Sequence, residues 1–392
     1  MSGGHVVIVG AGQGGLQAAM SLRQEGHEGQ ITLIGGEPGL PYQRPPLSKA
    51  YLKTGEADKL ALRPASFFES KAITLRPGIW VDAIDRAAQQ VRIGSETLDY
   101  DALILATGTR NLRPPIPGLE RALDLRTLED ARTLRAALDQ PRRIAVIGGG
   151  FIGLEFAAVA AGLGHNVSVA EVAPRLMARA VSPEMSERFR SLHEGLGTEL
   201  HLGNGVSEVT ESGLLLADGT EVTADLVLLA AGVRPNVELA QEAGLEVDNG
   251  IVVGTTLRTA DPQIFALGDC AAFPEATSGR RVRLESVQAA TDHARCIAKA
   301  IVKGETTPYA AVPWFWSDQH ELKLQIAGLA DPSDESVGLE GGAVLRFRGG
   351  CLTAVETIND ARTHMQARRL LGGGAVPTRD SLLEKNYDLT AA

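Results

Sequence analysis

Gly10, Gly12 and Gly15 stand in a GxGxxG frame, and Gly148, Gly150 and Gly153 repeat that frame further along the chain. Glycine at this spacing lets a backbone approach a pyrophosphate, whose charge is met by amide N–H groups at a helix N-terminus. One such frame is weak evidence in a chain holding 44 glycines. Here each is preceded by a β-branched run (HVVIVG, RRIAVIG) and followed by an apolar helical run and a second strand (QITLIGG, NVSVAEV), which predicts two dinucleotide sites. Gly14, Phe151 and Ile152 fall within the two turns and count with them.

Such a module places an acidic residue at the end of its second strand to accept hydrogen bonds from an adenosine ribose. In the second module this is Glu171. A carboxylate there repels a 2′-phosphate, so NADH is expected to be preferred over NADPH by at least about tenfold, with Arg175 close enough in sequence to soften the preference. In the first module the strand ends IGGEP, which puts Gly36 at the expected position and Glu37, the candidate acid, one place later. The plain alternative for Glu37 is a solvated turn residue.

The elements that must position these residues fit within 392 residues, 44% hydrophobic and 22% charged, the balance of an ordered α/β enzyme rich in tight turns. The net charge of −10 argues against a general affinity for nucleic acid, so an anionic partner must dock locally. A strand-like run begins at His5, leaving no room before it for a signal or transit peptide, and no apolar run approaches a membrane span, so a soluble cytoplasmic protein is expected. Cys270, Cys296 and Cys351 lie far apart without a CxxC, and the eight histidines show no HExxH spacing, so neither a disulfide framework nor a metal site is expected.

YDALILATG and TADPQIFALGDC add two buried strands ending in turns, and with them the chain resembles the two-dinucleotide-binding flavoproteins. PYQRPPLSK (Pro41 to Lys49), RLESVQAA (Arg283 to Ala290) and PWFWSDQ (Pro313 to Gln319) narrow the resemblance to the bacterial NADH-dependent ferredoxin reductases, the group of putidaredoxin reductase and the aromatic-ring dioxygenase reductases. It covers nearly the whole chain. The resemblance implies an α/β fold of two Rossmann-like domains, one for FAD and one for NADH, with a small α+β C-terminal domain. Residues 1–112 and 236–311 would form the FAD domain, 113–235 the NAD domain and 312–392 the last, in which DPSDESVGLEGGAVLRFRGG looks shortened around a hairpin.

Carried over residue by residue, the resemblance implies that Asp269 bonds the ribityl chain, Arg44 faces the FAD phosphates, and Val81 and Arg126 are further contacts. Val287 would stand at a helix N-terminus near the pyrimidine end of the flavin, where the helix dipole favours negative charge. Gly232 of GVRPN is counted with the cofactor contacts. The three residues expected nearest the chemistry are Lys49 against the isoalloxazine, Glu155 facing the nicotinamide, and Trp316 beside the flavin. Their plain alternatives are a solvated loop cation, a dipole partner in the first helical turns, and a core aromatic like Trp314. The prolines of PYQRPPLSK restrict the backbone, so the loop is expected to hold its cations as fixed charges.

The expected activity is hydride transfer from NADH to FAD followed by single-electron transfer to a [2Fe–2S] ferredoxin serving a cytochrome P450 or a Rieske oxygenase. Cysteine-dependent relatives carry their redox thiol after the first module, where this chain reads PPLSKAYLK; electrons must therefore leave to an external acceptor. Arg295, Lys299 and Lys303 recur every fourth residue along one helix face, either a solvated stripe or a landing site for an acidic ferredoxin. A monomer or weak dimer is expected. The rival readings are a rubredoxin reductase, an NADH oxidase, and a flavoprotein resembling apoptosis-inducing factor.

Overall fold

The structure, a computed structural model, describes residues 3–276 and 278–389. Two compact units divide the chain: Met1–Gln43, Ala57–Arg110 and Arg234–Ala311 form the first, and Arg44–Glu56, Asn111–Val233 and Val312–Ala392 the second.

The first unit is built on a five-stranded parallel sheet in the order Ile264–Ala266, Ala102–Leu105, Val6–Val9, Ile31–Gly35, Ile73–Pro77. Its central strands VVIV and ALIL are buried at every position, the continuous apolar pattern of a sheet covered on both faces. The helix Gln13–Gln24 links the first two strands in sequence and packs against the long helix Val287–Lys303. Gly14 permits that approach, since a Cβ there would lie 2.4 Å from Leu267 Cδ1 and 3.3 Å from Ala290 Cβ.

The second unit contains the repeat of this plan, a four-stranded parallel sheet in the order Glu199–Leu202, Asn166–Glu171, Arg143–Ile147, Leu226–Leu229. A five-stranded antiparallel sheet follows, in the order Trp314–Gln319, Leu322–Gly328, Cys351–Ile358, Val344–Arg348, Glu335–Gly338, covered by the helix Ala361–Leu371. In the stretch that looks shortened around a hairpin, Glu335–Gly338 pairs with Val344–Arg348. Val344–Arg348 then turns into Cys351–Ile358 through Gly349 and Gly350, both at positive φ, the two-residue turn that suits the twist of antiparallel strands.

The parallel and antiparallel parts of the second unit share one core. Leu154, Met177, Val181, Met185 and Phe189 pack with Leu324, Ile326, Val344 and Ala354. The helix Phe151–Gly162 is apolar on every side except at Glu155 and is buried continuously from Gly153 to Ala160, the pattern of a helix surrounded by protein over that length. Among the described residues no helix is long and apolar enough to cross a membrane.

One buried ion pair pins this core. Arg346 and Glu356, with side chains 1% and 0% exposed, meet at 2.8 Å across neighbouring strands. Glu356 also accepts from the backbone N–H and the hydroxyl of Ser182, the residue that caps the helix Pro183–Gly195. Removing one partner of such a pair strands the other charge, and Glu356→Ala is expected to destabilise the protein by about 3–5 kcal/mol. A volume-matched double replacement of both residues by apolar side chains is expected to recover most of the loss in urea titrations.

Candidate functional site

The two glycine turns solve one backbone problem in one way. Gly10 and Gly148 both adopt φ +112°, and a Cβ would lie 2.1 Å from Ala106 O at the first and 2.4 Å from Ala230 O at the second. At Gly15 and Gly153 a Cβ would meet the carbonyl oxygens of Gly10 and Gly148 at 1.8 and 2.3 Å. The chain's own packing thus demands four of the six frame glycines. It does not demand Gly12 and Gly150, where a Cβ would meet no protein atom within 4 Å. Each is the N-cap of a helix, Gln13–Gln24 or Phe151–Gly162, without a side-chain cap. Open space before uncapped N–H groups fits a bound pyrophosphate in each turn. Ile152 is exposed, whereas the Phe151 ring turns to Phe315, 4.5 Å between centroids.

Glu171 ends its strand with both carboxylate oxygens engaged, Oε2 by Gly149 N–H at 2.6 Å and Oε1 by Ala173 N–H at 2.7 Å. These bonds hold it at the mouth of the turn, and a carboxylate oxygen retains acceptor capacity beyond one bond. The Arg175 guanidinium donates to Ala178 O, Val181 O and Ser186 Oγ. In the first module Glu37 accepts from Tyr42 Oη at 2.5 Å. Gly36 lies under Trp80, whose ring carbons would be 2.7 Å from a Cβ there, and Val81 follows, half-buried. Gly232 is also at positive φ and accepts from Leu112 N–H.

The Asp269 turn is secured from several directions within the first unit. Thr109 Oγ1 donates to Asp269 Oδ2 at 3.3 Å, Arg283 donates to its carbonyl at 3.1 Å, and Gly268 N–H donates to His293 Nδ1 at 3.2 Å. Val287 begins the helix Val287–Lys303, and the capping Ser286 hydroxyl accepts from Ala289 N–H. Further along that helix Arg295, Lys299 and Lys303 are all exposed. Two of these charges are met locally, Arg295 by Asp292 at 3.0 Å and Lys303 by Glu25.

In the second unit the structure joins two residues that stand 106 positions apart. Lys49 Nζ lies 2.5 Å from Glu155 Oε2. Glu155 is 2% exposed, and an ionised carboxylate buried to that degree needs full compensation. Ser48 Oγ donates to Oε2 at 2.6 Å and Ser317 Oγ to Oε1 at 2.7 Å. The loop that delivers Ser48 and Lys49 is the 3₁₀ turn Pro45–Ser48. Arg44 precedes it and donates to Arg126 O at 2.7 Å, so these two predicted contacts also meet.

Strand periodicity explains the reach of Ser317. On Trp314–Gln319 the alternate residues Phe315 and Ser317 lie two apart, a spacing close to that of Phe151 and Glu155 four apart on a helix. Phe315 accordingly meets Phe151 and Ser317 meets Glu155. Trp316 belongs to the opposite strand face with Trp314, 5.6 Å between ring centroids, and so does not join the Lys49–Glu155 contact.

Ser48, Ser317, Thr109, Tyr42 and His293 hydrogen-bond to the candidate residues or to the turns that hold them, and nothing in the sequence singles them out. Serine and threonine are too common to signal by type. The signal that existed was a lone carboxylate in FIGLEFAAVAAG, which requires donors from elsewhere.

Two parallel sheets, each with a glycine turn and a strand-end acid, define an oxidoreductase fold that takes two dinucleotides, FAD and NAD(H). Residues 4–294 match the family described as pyridine nucleotide-disulphide oxidoreductase, and residues 314–392 match that described as reductase C-terminal. The chain belongs to this family and carries its C-terminal reductase domain. It is 46% identical to rhodocoxin reductase of Rhodococcus erythropolis, covering 99% of this chain and 94% of that one. Putidaredoxin reductase of Pseudomonas putida is 38% identical over 99% of both chains. Among solved structures, a ferredoxin reductase from Rhodopseudomonas palustris superposes with a TM-score of 0.94 at 42% identity, over 99% of each chain. A covalent putidaredoxin reductase–putidaredoxin complex gives 0.94 at 37%, over 100% of this chain and 98% of that one.

Burial holds His293 neutral, its pKa pushed down to about 3, while the unfolded chain protonates it near the ordinary 6.5. Between these values the unfolded state binds the extra proton, so stability present above about pH 6.5 is lost as the pH falls towards 3. His293→Gln keeps an acceptor for Gly268 N–H and removes that proton. Its unfolding free energy should depend less steeply on pH between about 4 and 6, by about 1.4 kcal/mol per pH unit, as measured by urea midpoints across that range.

Proposed function

We propose that the chain is an NADH-dependent, FAD-containing reductase that delivers single electrons to a [2Fe–2S] ferredoxin serving a cytochrome P450 or a Rieske-type oxygenase. The observation that carries this reading is what stands at the loop after the first module: Ser48 and Lys49, both on Glu155, with no thiol to take up electrons. Cys270 is buried and its thiol is pushed up by that burial, and it donates towards backbone carbonyls. The electron acceptor is therefore external.

Bound FAD supplies the conversion of a two-electron donor into a one-electron donor. The residues supply placement. In the first unit Gly10, Gly12, Gly15, Gly36, Glu37, Val81, Asp269 and Val287 hold the FAD dinucleotide. By the resemblance Arg44, Lys49, Arg126 and Trp316 are assigned to FAD, and Gly148, Gly150, Gly153, Phe151, Ile152, Glu171 and Gly232 to NADH, with Glu155 facing its nicotinamide. The proposed domain limits are 1–112 with 236–311 for FAD, 113–235 for NAD and 312–392 for the C-terminal domain, the segment Arg44–Glu56 of the first being a part that clusters with the second unit. The protein works in the cytoplasm, as a monomer or weak dimer.

The names of the relatives support a small iron–sulfur partner, and Arg295, Lys299 and Lys303 offer it a cationic helix face. Asp292 and Glu25 offset the outer two charges, so Lys299 dominates the attraction.

The purified protein should be yellow, bleach on anaerobic addition of NADH, and recover its colour on adding a [2Fe–2S] ferredoxin faster than with oxygen alone. A colourless protein that takes up no flavin overturns the reading. For the docking face, Lys299→Glu should slow ferredoxin reduction about tenfold at low salt, Arg295→Glu less, both effects shrinking as salt is raised. NADH-to-ferricyanide turnover should be unchanged, and equal loss in both assays would reject the docking assignment.

A further inference from the structure

Behind Glu155 the hydrogen bonds continue away from Lys49. Ser317 Oγ, which donates to Glu155, is met by Gln319 Nε2 at 3.2 Å, and Gln319 Oε1 meets His193 Nε2 at 3.0 Å. Ser317, Gln319 and His193 are all fully buried. The direction of each bond can be deduced. The Gln319 amide end that faces Ser317 also faces Met177 Sδ at 3.6 Å. A thioether only accepts, so that end is the NH2 group and the other is the carbonyl. His193 Nε2 must then carry the proton, which leaves Nδ1 bare; Nδ1 is buried and has no hydrogen-bond partner among the described residues. Ser317 accepts from Gln319 and has its own proton left for Glu155. Every donor in the series points the same way.

We propose that His193, Gln319 and Ser317 form a one-way hydrogen-bond relay that fixes the Glu155 carboxylate where it meets Lys49. These are positioning residues; none is placed against a cofactor. Burial lowers the pKa of His193, in keeping with a neutral imidazole whose single N–H starts the series. A serine hydroxyl alone would rotate among acceptors, and the amide behind it leaves one orientation. With Ser48 and Lys49 on one oxygen and Ser317 on the other, the carboxylate plane is defined from both sides. The relay rests on the proposed function in that Glu155 is taken to face the nicotinamide.

The sharpest test is Gln319→Glu in the FAD-loaded protein, a near-isosteric change that places an acceptor at both ends. It should draw the Ser317 proton away from Glu155 and make His193 protonate at higher pH. The rate of flavin bleaching at saturating NADH should fall about tenfold, while the NADH concentration for half-saturation changes less than about twofold. Ser317→Ala should give the same split, and Ser317→Thr should restore the parent rate; this pair decides the matter if the glutamate variant does not fold. Nitrogen NMR of histidine-labelled parent protein should show His193 as the Nε2–H tautomer. An Nδ1–H tautomer, or parent bleaching rates in folded, flavin-bearing Ser317→Ala and Gln319→Glu, would overturn the relay. A parent protein that NADH does not bleach would instead overturn the proposed function, and the tautomer would still judge the relay.

Discussion

A single buried carboxylate organises the second unit. Glu155 is the lone charge in a helix otherwise apolar on all sides, and leaving it unmatched would cost several kcal/mol. Its donors come from places remote in sequence, Ser48 and Lys49 from the loop before Ala50–Thr54 and Ser317 from the first strand of the C-terminal sheet. Satisfying one side chain therefore fixes the relation of three segments. The same helix contributes Phe151 to Phe315 and Leu154 to the core shared with the antiparallel sheet, so apolar packing and polar satisfaction impose one arrangement.

The glycine turns show how function can be separated from folding. A position at which any side chain would strike the protein's own backbone says nothing about a ligand, and Gly10, Gly15, Gly148 and Gly153 are of that kind. Gly14 is similar, reserved for the approach of the helix Val287–Lys303. Gly12 and Gly150 face open space, so no atom of the protein itself requires glycine there.

Much of the fold was legible because buried parallel strands announce themselves as unbroken apolar runs, and VVIV and IAVI each lead into the same turn. The antiparallel C-terminal sheet was less so, its short strands being set by turn residues such as Gly349 and Gly350 and by cross-strand pairing. At the site, Lys49 and Glu155 were named separately, through family resemblance, and nothing in their spacing indicated that they touch. A contact across 106 residues is decided by tertiary packing. The stripe of Arg295, Lys299 and Lys303 was readable as one exposed helical face, yet its neutralisation by Glu25 was not, because Glu25 follows the first helix at the other end of the chain.

The proline-rich loop is best understood as a delivery device for two adjacent donors. Pro45 and Pro46 occupy the first turn of the 3₁₀ segment, where a missing N–H leaves no bond unmade. Leu47 N–H and Lys49 N–H close the turn onto Arg44 O and Pro46 O, and Arg44 is itself tied to Arg126 O just before the capping box of Leu128–Ala137. Ordering a flexible loop would cost about 1–2 kcal/mol per residue; prolines lower that sum by restricting the unfolded chain as well. The rigidity matters because Ser48 and Lys49 must reach the same oxygen of Glu155 at 2.6 and 2.5 Å. A loop free to move would leave the carboxylate half-satisfied, and the cation would lose its fixed position together with its partner.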